Sequence, residues 1–483
     1  MPKSQFVDPK KAFTPGYIHF EDIPVCQYKK TLAEEKKLYK KDDFLRIYRD
    51  MRIIREFETM LNEIKTKSEY NGVAYNNPGP AHLSIGQEAS AVGEAYSLDI
   101  NDLTFGSHRS HGEILAKGLS SINKLEDGEL YDIMKEFLGG TVLNVVEKHM
   151  NAGGNIKELA INFLLYGALA EVFARTTGFN RGLGGSMHAF FIPFGIMPNN
   201  AIVGGGAPIA LGAALYKRSN RKKGIVVANC GDGACGRGPV LESFNFASMD
   251  QITQLWDGGK GEGMPILFNV FNNHYGMGGQ TRGETMGYDM AARLGAGFNP
   301  TMMHAERVNG YDPLAVIDAV TRKKELLVNG KGPALLDVVT YRVSGHSPSD
   351  SSTYRTPEEI EAWKAADPIH AFKEKLIKGK IATESEIGAI DSSIIDRMTE
   401  VIKLAINDDI SPRMDLDKTP DAISSIMFSN QKVHSMDPTR TAEMTKPREE
   451  CDRLKEMATK VRTAKDANGK PEDEGLQHTR RSL

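Results

Sequence analysis

The sequence predicts an α/β protein with a doubly wound, mostly parallel sheet flanked by helices. Three observations support this fold class. Short apolar, β-rich runs alternate with helically patterned segments: GIVVANC (224–230) then GPVLESFNFASM (238–249), PILFNVF (265–271), and DPLAVIDAVTRKKELLV (312–328) before PALLDVVTYRV (333–343). Strand–helix–strand units joined by short turns close into right-handed parallel crossovers. Glycine-rich or polar turns follow the strand candidates, and 483 residues suffice for one large α/β unit with appendages.

In chain order, residues 1–43 read as a polar N-terminal arm with scattered aromatics. From Phe44 a helix is expected, because Leu45, Tyr48, Met51, Ile54 and Phe57 recur every three or four residues. NGVAYNNPGPA (71–81) is a loop by composition. A second helical stretch covers 129–175, broken at Gly139-Gly140 and Gly153-Gly154, and a Gly-rich tract follows: GLGGSMH (182–188) and VGGGAPIALGAALYKR (203–218). The main domain is placed at 44–430. Beyond it, 431–483 holds 22 charged residues and no aromatic, too little apolar surface to fold alone. Within that extension, Cys451, Leu454, Ala458 and Val461 form a narrow helical seam.

Composition excludes several classes. With 60 Lys and Arg against 63 Asp and Glu, the net charge of −3 offers no basic footprint for nucleic acid. The longest apolar run, Leu159 to Ala170, is broken by Asn162 and Gly167 and falls short of the ~18 residues of a membrane span. The N-terminus MPKSQFVDPKK has no apolar signal core, so a soluble, cytoplasmic protein is expected, with a mitochondrial matrix location left open. The four cysteines contain no CxxC pair, which argues against a disulfide framework or zinc knuckle.

In open α/β sheets ligands bind beyond the carboxyl ends of strands. There the sequence places Gly231-Asp232-Gly233-Ala234, Asn272-Asn273-His274-Tyr275 and Ser344-Gly345-His346, which puts an acid, a carboxamide and an imidazole at three strand tips. Mg²⁺ prefers near-octahedral oxygen ligation by one or two protein oxygens plus substrate phosphates. Asp232, Asn273 and one backbone carbonyl would form such a site. The adjacent glycines let backbone N–H groups approach a phosphate, and the helix from Gly238 adds its N-terminal dipole. GDG alone also occurs in purely structural turns; followed one βα unit later by a strand ending in NN, it is far more specific.

GDGA followed by NN looks like the thiamine-diphosphate fingerprint. His108-Arg109-Ser110-His111-Gly112 with Ala116-Lys117-Gly118, GGSMH (184–188), VGGGAPIALGAA (203–214), NNHYGMG (272–278) and YRVSGHS with YRTPEE (341–358) narrow it. Together they resemble the E1 α subunit of 2-oxo acid dehydrogenase complexes, and most closely the pyruvate and acetoin types. The likeness runs from about Phe44 to Ser425. It implies the thiamine-diphosphate-binding fold, with thiamine diphosphate and Mg²⁺ as cofactors. Asp232 and Asn273 would ligate the metal by side chains and Tyr275 by its carbonyl. Gly233, Ala234, His108 and Arg109 would contact the diphosphate, and Val203 the aminopyrimidine. His346 and His82 would serve the reaction, His346 also lying near the diphosphate.

The resemblance further implies an α₂β₂ heterotetramer in which an E1 β subunit completes the pocket, and acyl transfer to a lipoyl-bearing E2. Pyruvate is the favoured substrate and acetoin the next. A carboligase or diketone-cleaving enzyme uncoupled from lipoamide is the alternative. A dinucleotide-binding reading of GDGACG fails the GxGxxG spacing. Two stretches go beyond the family pattern: the insertion 254–263 and the charged extension. The hydroxyl-rich loop at 347–353 resembles one that is phosphorylated in some family members.

Overall fold

The computed structural model describes residues 6–255, 261–426 and 448–450. Helix α1 (Lys41–Lys67) starts three residues before the expected Phe44, because the Asp43 carboxylate accepts the Lys40 N–H at 2.9 Å and fixes the first turn. Its periodic residues Phe44, Tyr48, Met51, Ile54 and Phe57 are buried, whereas Leu45 is only partly covered. The remaining main helices are α2 (Glu88–Ala95), α3 (His111–Lys124), α4 (Ile156–Val172), α5 (Gly206–Ser219), α6 (Gly238–Ser248), α7 (Pro313–Val328) and α8 (Glu384–Ile406). α4 lies within the expected 129–175 stretch and is buried around nearly its whole circumference from Leu159 on. That is why its sequence is apolar without a polar face.

The strands are β1 (Leu103–Phe105), β2 (Ile196–Met197), β3 (Val226–Gly231), β4 (Ile266–Asn272), β5 (Glu306–Asn309) and β6 (Ala334–Val339). They form one six-stranded sheet in the order β2-β1-β3-β4-β6-β5, parallel throughout. β3, β4 and β6 are the three runs expected from sequence. β1, β2 and β5 are two to four residues long, too short to display a period.

Both faces of the sheet are covered. Val226, Ala228 and Cys230 of β3, with Phe268 of β4, pack with α5 and α6. Val227 and Leu267, on the opposite face, pack with α7. This two-sided burial explains why the strands read as continuous apolar runs rather than alternating ones.

The strand order reverses between β1 and β3. The crevice outside their carboxyl ends is the position where doubly wound sheets hold ligands.

Within the arm, residues 6–20 are exposed, but the next segment is anchored. Arg307 N–H donates to Pro24 O at 2.9 Å and Cys26 N–H to Arg307 O at 2.8 Å, laying the chain along β5. Part of the insertion, 256–260, and nearly all of the extension lie outside the described residues, including the expected helical seam. Among the described residues no helix is long and apolar enough to cross a membrane.

Lys117 ties α3 to the sheet. It is 1% exposed, and its Nζ donates to Asp99 O at 2.8 Å, Ser121 Oγ at 3.1 Å and Phe194 O at 2.5 Å. Lys117→Met keeps the volume but strips these carbonyls of a buried donor. The expected loss is about 1–3 kcal/mol, read as a lower urea midpoint with an unchanged slope.

Candidate active site

Five loops converge at the carboxyl edge of the sheet. β3 ends at Gly231 and turns through a single 3₁₀ turn, Asp232–Ala234, before α6. β4 passes into Asn273, His274 and Tyr275, with His274 at φ 68°. Beyond β6 the chain carries Arg342 and His346. The β1–α3 loop carries His108 and Arg109, and His82 lies in the loop before α2.

The acidic pole is centred on Asp232, which is 1% exposed. Thr281 Oγ1 donates to its Oδ2 at 2.5 Å and Asn273 N–H to its Oδ1 at 3.4 Å. Asn273 is itself held, accepting from Tyr275 N–H at 3.2 Å and donating to Gln87 Oε1 at 3.1 Å. The Tyr275 hydroxyl is committed to Glu359 at 2.8 Å, so a ligand at this pole would meet its backbone rather than its phenol. Burial pushes the Asp232 carboxyl up to about 6. Among the described residues no group of three or more His, Cys, Asp or Glu gathers to hold a metal. Asp232 thus offers one carboxylate, with carboxamide and backbone oxygens beside it, a donor set of the kind that suits Mg²⁺ beside phosphates.

The basic pole holds three imidazoles and two guanidiniums. Ring centroids of His82 lie 5.2 Å from His108 and 5.0 Å from His346, and His108 lies 6.0 Å from His346. Arg109, 4% exposed, donates to Leu83 O at 2.8 Å and to His346 O at 2.8 Å. Arg342 reaches His346 Nδ1 at 3.4 Å, Gly276 O at 2.7 Å and the Tyr354 hydroxyl at 2.8 Å. Neither guanidinium makes a carboxylate ion pair at these contacts. Burial, then the neighbouring Arg342, lowers Arg109 to about 9. Burial and the nearby cations hold His82 and His346 down to about 4 and His108 to about 3. His82 Nδ1 is buried without a hydrogen-bond partner.

The structure thus brings Asp232 to Asn273, and His82, His108, Arg109 and His346 to one another. Arg342 links the two poles through Gly276. Gly233 and Ala234 sit on the turn beside Asp232. Val203 is 47% exposed next to Ile202 at 73%, ahead of α5. Sequence reasoning missed Arg342, although it lies within the quoted YRVSGHS, four residues before His346. It also missed Thr281 and Gln87, whose roles depend on contacts across 49 and 186 positions. His111 was quoted only as part of a motif; its Nδ1 lies 3.0 Å from buried Glu58 and its Nε2 2.9 Å from Ser186 Oγ.

The profile of the dehydrogenase E1 component family matches residues 157–412. The chain belongs to that family.

This E1 chain is 31% identical over 392 residues to the probable mitochondrial pyruvate dehydrogenase E1 component subunit alpha of Caenorhabditis elegans, covering 81% of this chain and 79% of that protein. It is 30% identical over 379 residues to the pyruvate dehydrogenase E1 component subunit alpha of Rhizobium meliloti, covering 78% and 88%. The protein of that name from Rickettsia conorii is 28% identical over 80% of this chain and 95% of its own length. The profile spans Asp232, Asn273 and His346 but begins after His82, His108 and Arg109. The six-stranded parallel sheet agrees with the fold expected for an E1 α chain.

The three imidazoles of this E1 chain are expected to be neutral at pH 7. Because their folded values are depressed, the stability they contribute is full above the unfolded value near 6.5 and is lost as pH falls toward 4. In histidine-labelled NMR spectra, signals assigned by His82→Phe, His108→Phe and His346→Phe should keep neutral-imidazole shifts down to about pH 5.

Proposed function

We propose that the chain is the α subunit of a thiamine-diphosphate-dependent pyruvate dehydrogenase E1, catalytic as an α₂β₂ heterotetramer with a β subunit. The observation that carries this reading is an acid–carboxamide pair beside two buried guanidiniums that have no carboxylate partner among the described residues, at the switch point of a parallel sheet. Such a site suits a diphosphate with a divalent cation. The residues fit both groups: Asp232 and Asn273 would hold Mg²⁺ by side-chain oxygens and Tyr275 by its carbonyl. Gly233 and Ala234 would offer backbone N–H groups to the diphosphate, with Arg109 as a charge-assisted donor and His108 beside it. When bound, thiamine diphosphate supplies the carbanion and electron-sink chemistry of 2-oxo acid decarboxylation.

The chain's own residues do the placing and the proton work. Arg109 and Arg342 offset phosphate charge where little water screens it. His82 and His346, neutral at physiological pH, can accept a proton or donate a ring N–H at the substrate entry. Val203, half-exposed in the isolated chain, would lie against the aminopyrimidine, where a β subunit completes the pocket. The acyl group would pass to the lipoyl arm of an E2 protein, and we place the reaction in the cytoplasm. The names of the relatives favour pyruvate over acetoin and over a carboligase uncoupled from lipoamide.

Asp232→Ala is expected to abolish Mg²⁺-dependent thiamine diphosphate binding by the full chain in calorimetric titration; retained binding would overturn the metal assignment. Arg109→Ala should weaken that binding by about 10–100-fold. With the β partner and an artificial electron acceptor, pyruvate should be turned over in preference to acetoin. His346→Ala should then lower kcat by at least about 100-fold with a smaller change in KM. An unchanged kcat would leave His346 a structural residue.

A further inference from the structure

Beneath the basic pole lies a buried acidic network that the proposed chemistry does not use. Glu113, in the first turn of α3, accepts from Ser107 on both oxygens, the backbone N–H at 3.1 Å and the hydroxyl at 3.0 Å. Ser107 Oγ in turn accepts the Arg109 N–H at 3.2 Å, so one carboxyl fixes the loop that carries His108 and Arg109. There is no slack behind it: a Cβ on Gly106 would fall 2.6 Å from Ser110 Cβ and 3.1 Å from Glu113 Oε2.

Glu113 faces a second carboxyl, Glu94 of α2, and the two are 4% and 1% exposed. Glu94 bridges the central strands, accepting from Asn229 of β3 at 3.0 Å and from Asn269 of β4 at 2.6 Å. Those two asparagines are register partners and bond each other at 3.0 Å. Asn229 also faces Glu113, and the ionisable group facing Glu94 is Lys117, which burial lowers to about 7. The network therefore spans α2, α3, β3 and β4, the elements whose ends present His82, Arg109, Asp232 and Asn273.

We propose that Glu113 is a positioning residue for the Ser107–Ser110 loop, aiming Arg109 at the anion site. The consequence for Arg109 rests on the function proposed above; the hold on the loop does not. Two carboxylates this close in a buried site do not ionise together without cost. Burial raises Glu94 to about 7 and Glu113 to about 8, the latter helped by Glu94. The Ser107 donors favour the ionised form of Glu113, so its grip on the loop tightens as the pH rises through this range.

The test is hydrogen exchange of the 106–110 amides in the full chain, as protection relative to the unfolded peptide, from about pH 6.5 to 9. Protection in the unmodified chain should rise about tenfold across this range. Glu113→Gln should keep one acceptor for Ser107 and flatten that rise, and Glu94→Gln should move the rise to lower pH by removing the carboxyl that raises Glu113. Glu113→Ala should be about tenfold less protected at every pH; if it fails to fold, the two Gln variants decide. A flat profile in the unmodified chain, or an unshifted rise in Glu94→Gln, overturns the proposal. Calorimetry with magnesium pyrophosphate should show affinity tracking protection. The expected protection pattern with no pyrophosphate binding by the unmodified chain overturns the proposed function alone. Binding that Arg109→Ala destroys and Glu113→Ala spares overturns the positioning of Arg109.

Discussion

The site depends on holding positive charge where the chain does not neutralise it. Arg109 is buried with its guanidinium on two backbone carbonyls, and both it and Arg342 lie near His346 Nδ1. Burying an ion without a partner is expensive, so the surroundings must fix the group firmly or it would swing to solvent. They do: the Leu83 and His346 carbonyls grip the guanidinium, and the loop beneath is fixed through Ser107. Burial, together with the same two cations, keeps three nearby imidazoles uncharged. An arrangement of this kind is under electrostatic strain until an anion arrives, and a diphosphate is the anion whose size and charge suit it.

The acidic pole is the complement. Asp232 is held by Thr281 and the Asn273 backbone, and burial biases it toward the neutral form. A divalent cation would reverse that bias by stabilising the carboxylate. Anion and cation therefore favour each other's binding, with Arg342 spanning the two poles through Gly276. Fold position makes this possible, since each pole is assembled from loops at one edge of a parallel sheet whose register sets their separation.

Much of this was legible in the sequence because it sits on long, strongly patterned segments. β3, β4 and β6 announce themselves as apolar runs, and the chemistry-bearing residues follow directly after them. The short strands β1, β2 and β5 were not legible: two to four residues give no period, and their place is set by neighbours. Arg342 was in view but unassigned, since nothing in a linear motif says that a guanidinium four residues upstream folds onto His346. Asn229 and Asn269 were the hardest of all. Inside apolar strand runs they look like interruptions, and only the register of β3 with β4 shows that they form a matched pair serving Glu94.

The arm that crosses β5 has a further effect. An exposed strand at the border of a sheet presents unpaired backbone groups, a template on which a second chain can add. Here Pro24 and Cys26 take the Arg307 backbone N–H and carbonyl, while the opposite border, β2, is two residues long. Neither border offers a stretch long enough to recruit a stranger's strand. The N-terminal segment thus occupies the β5 edge at Arg307, where a second chain would otherwise find free backbone groups, quite apart from any contribution to catalysis.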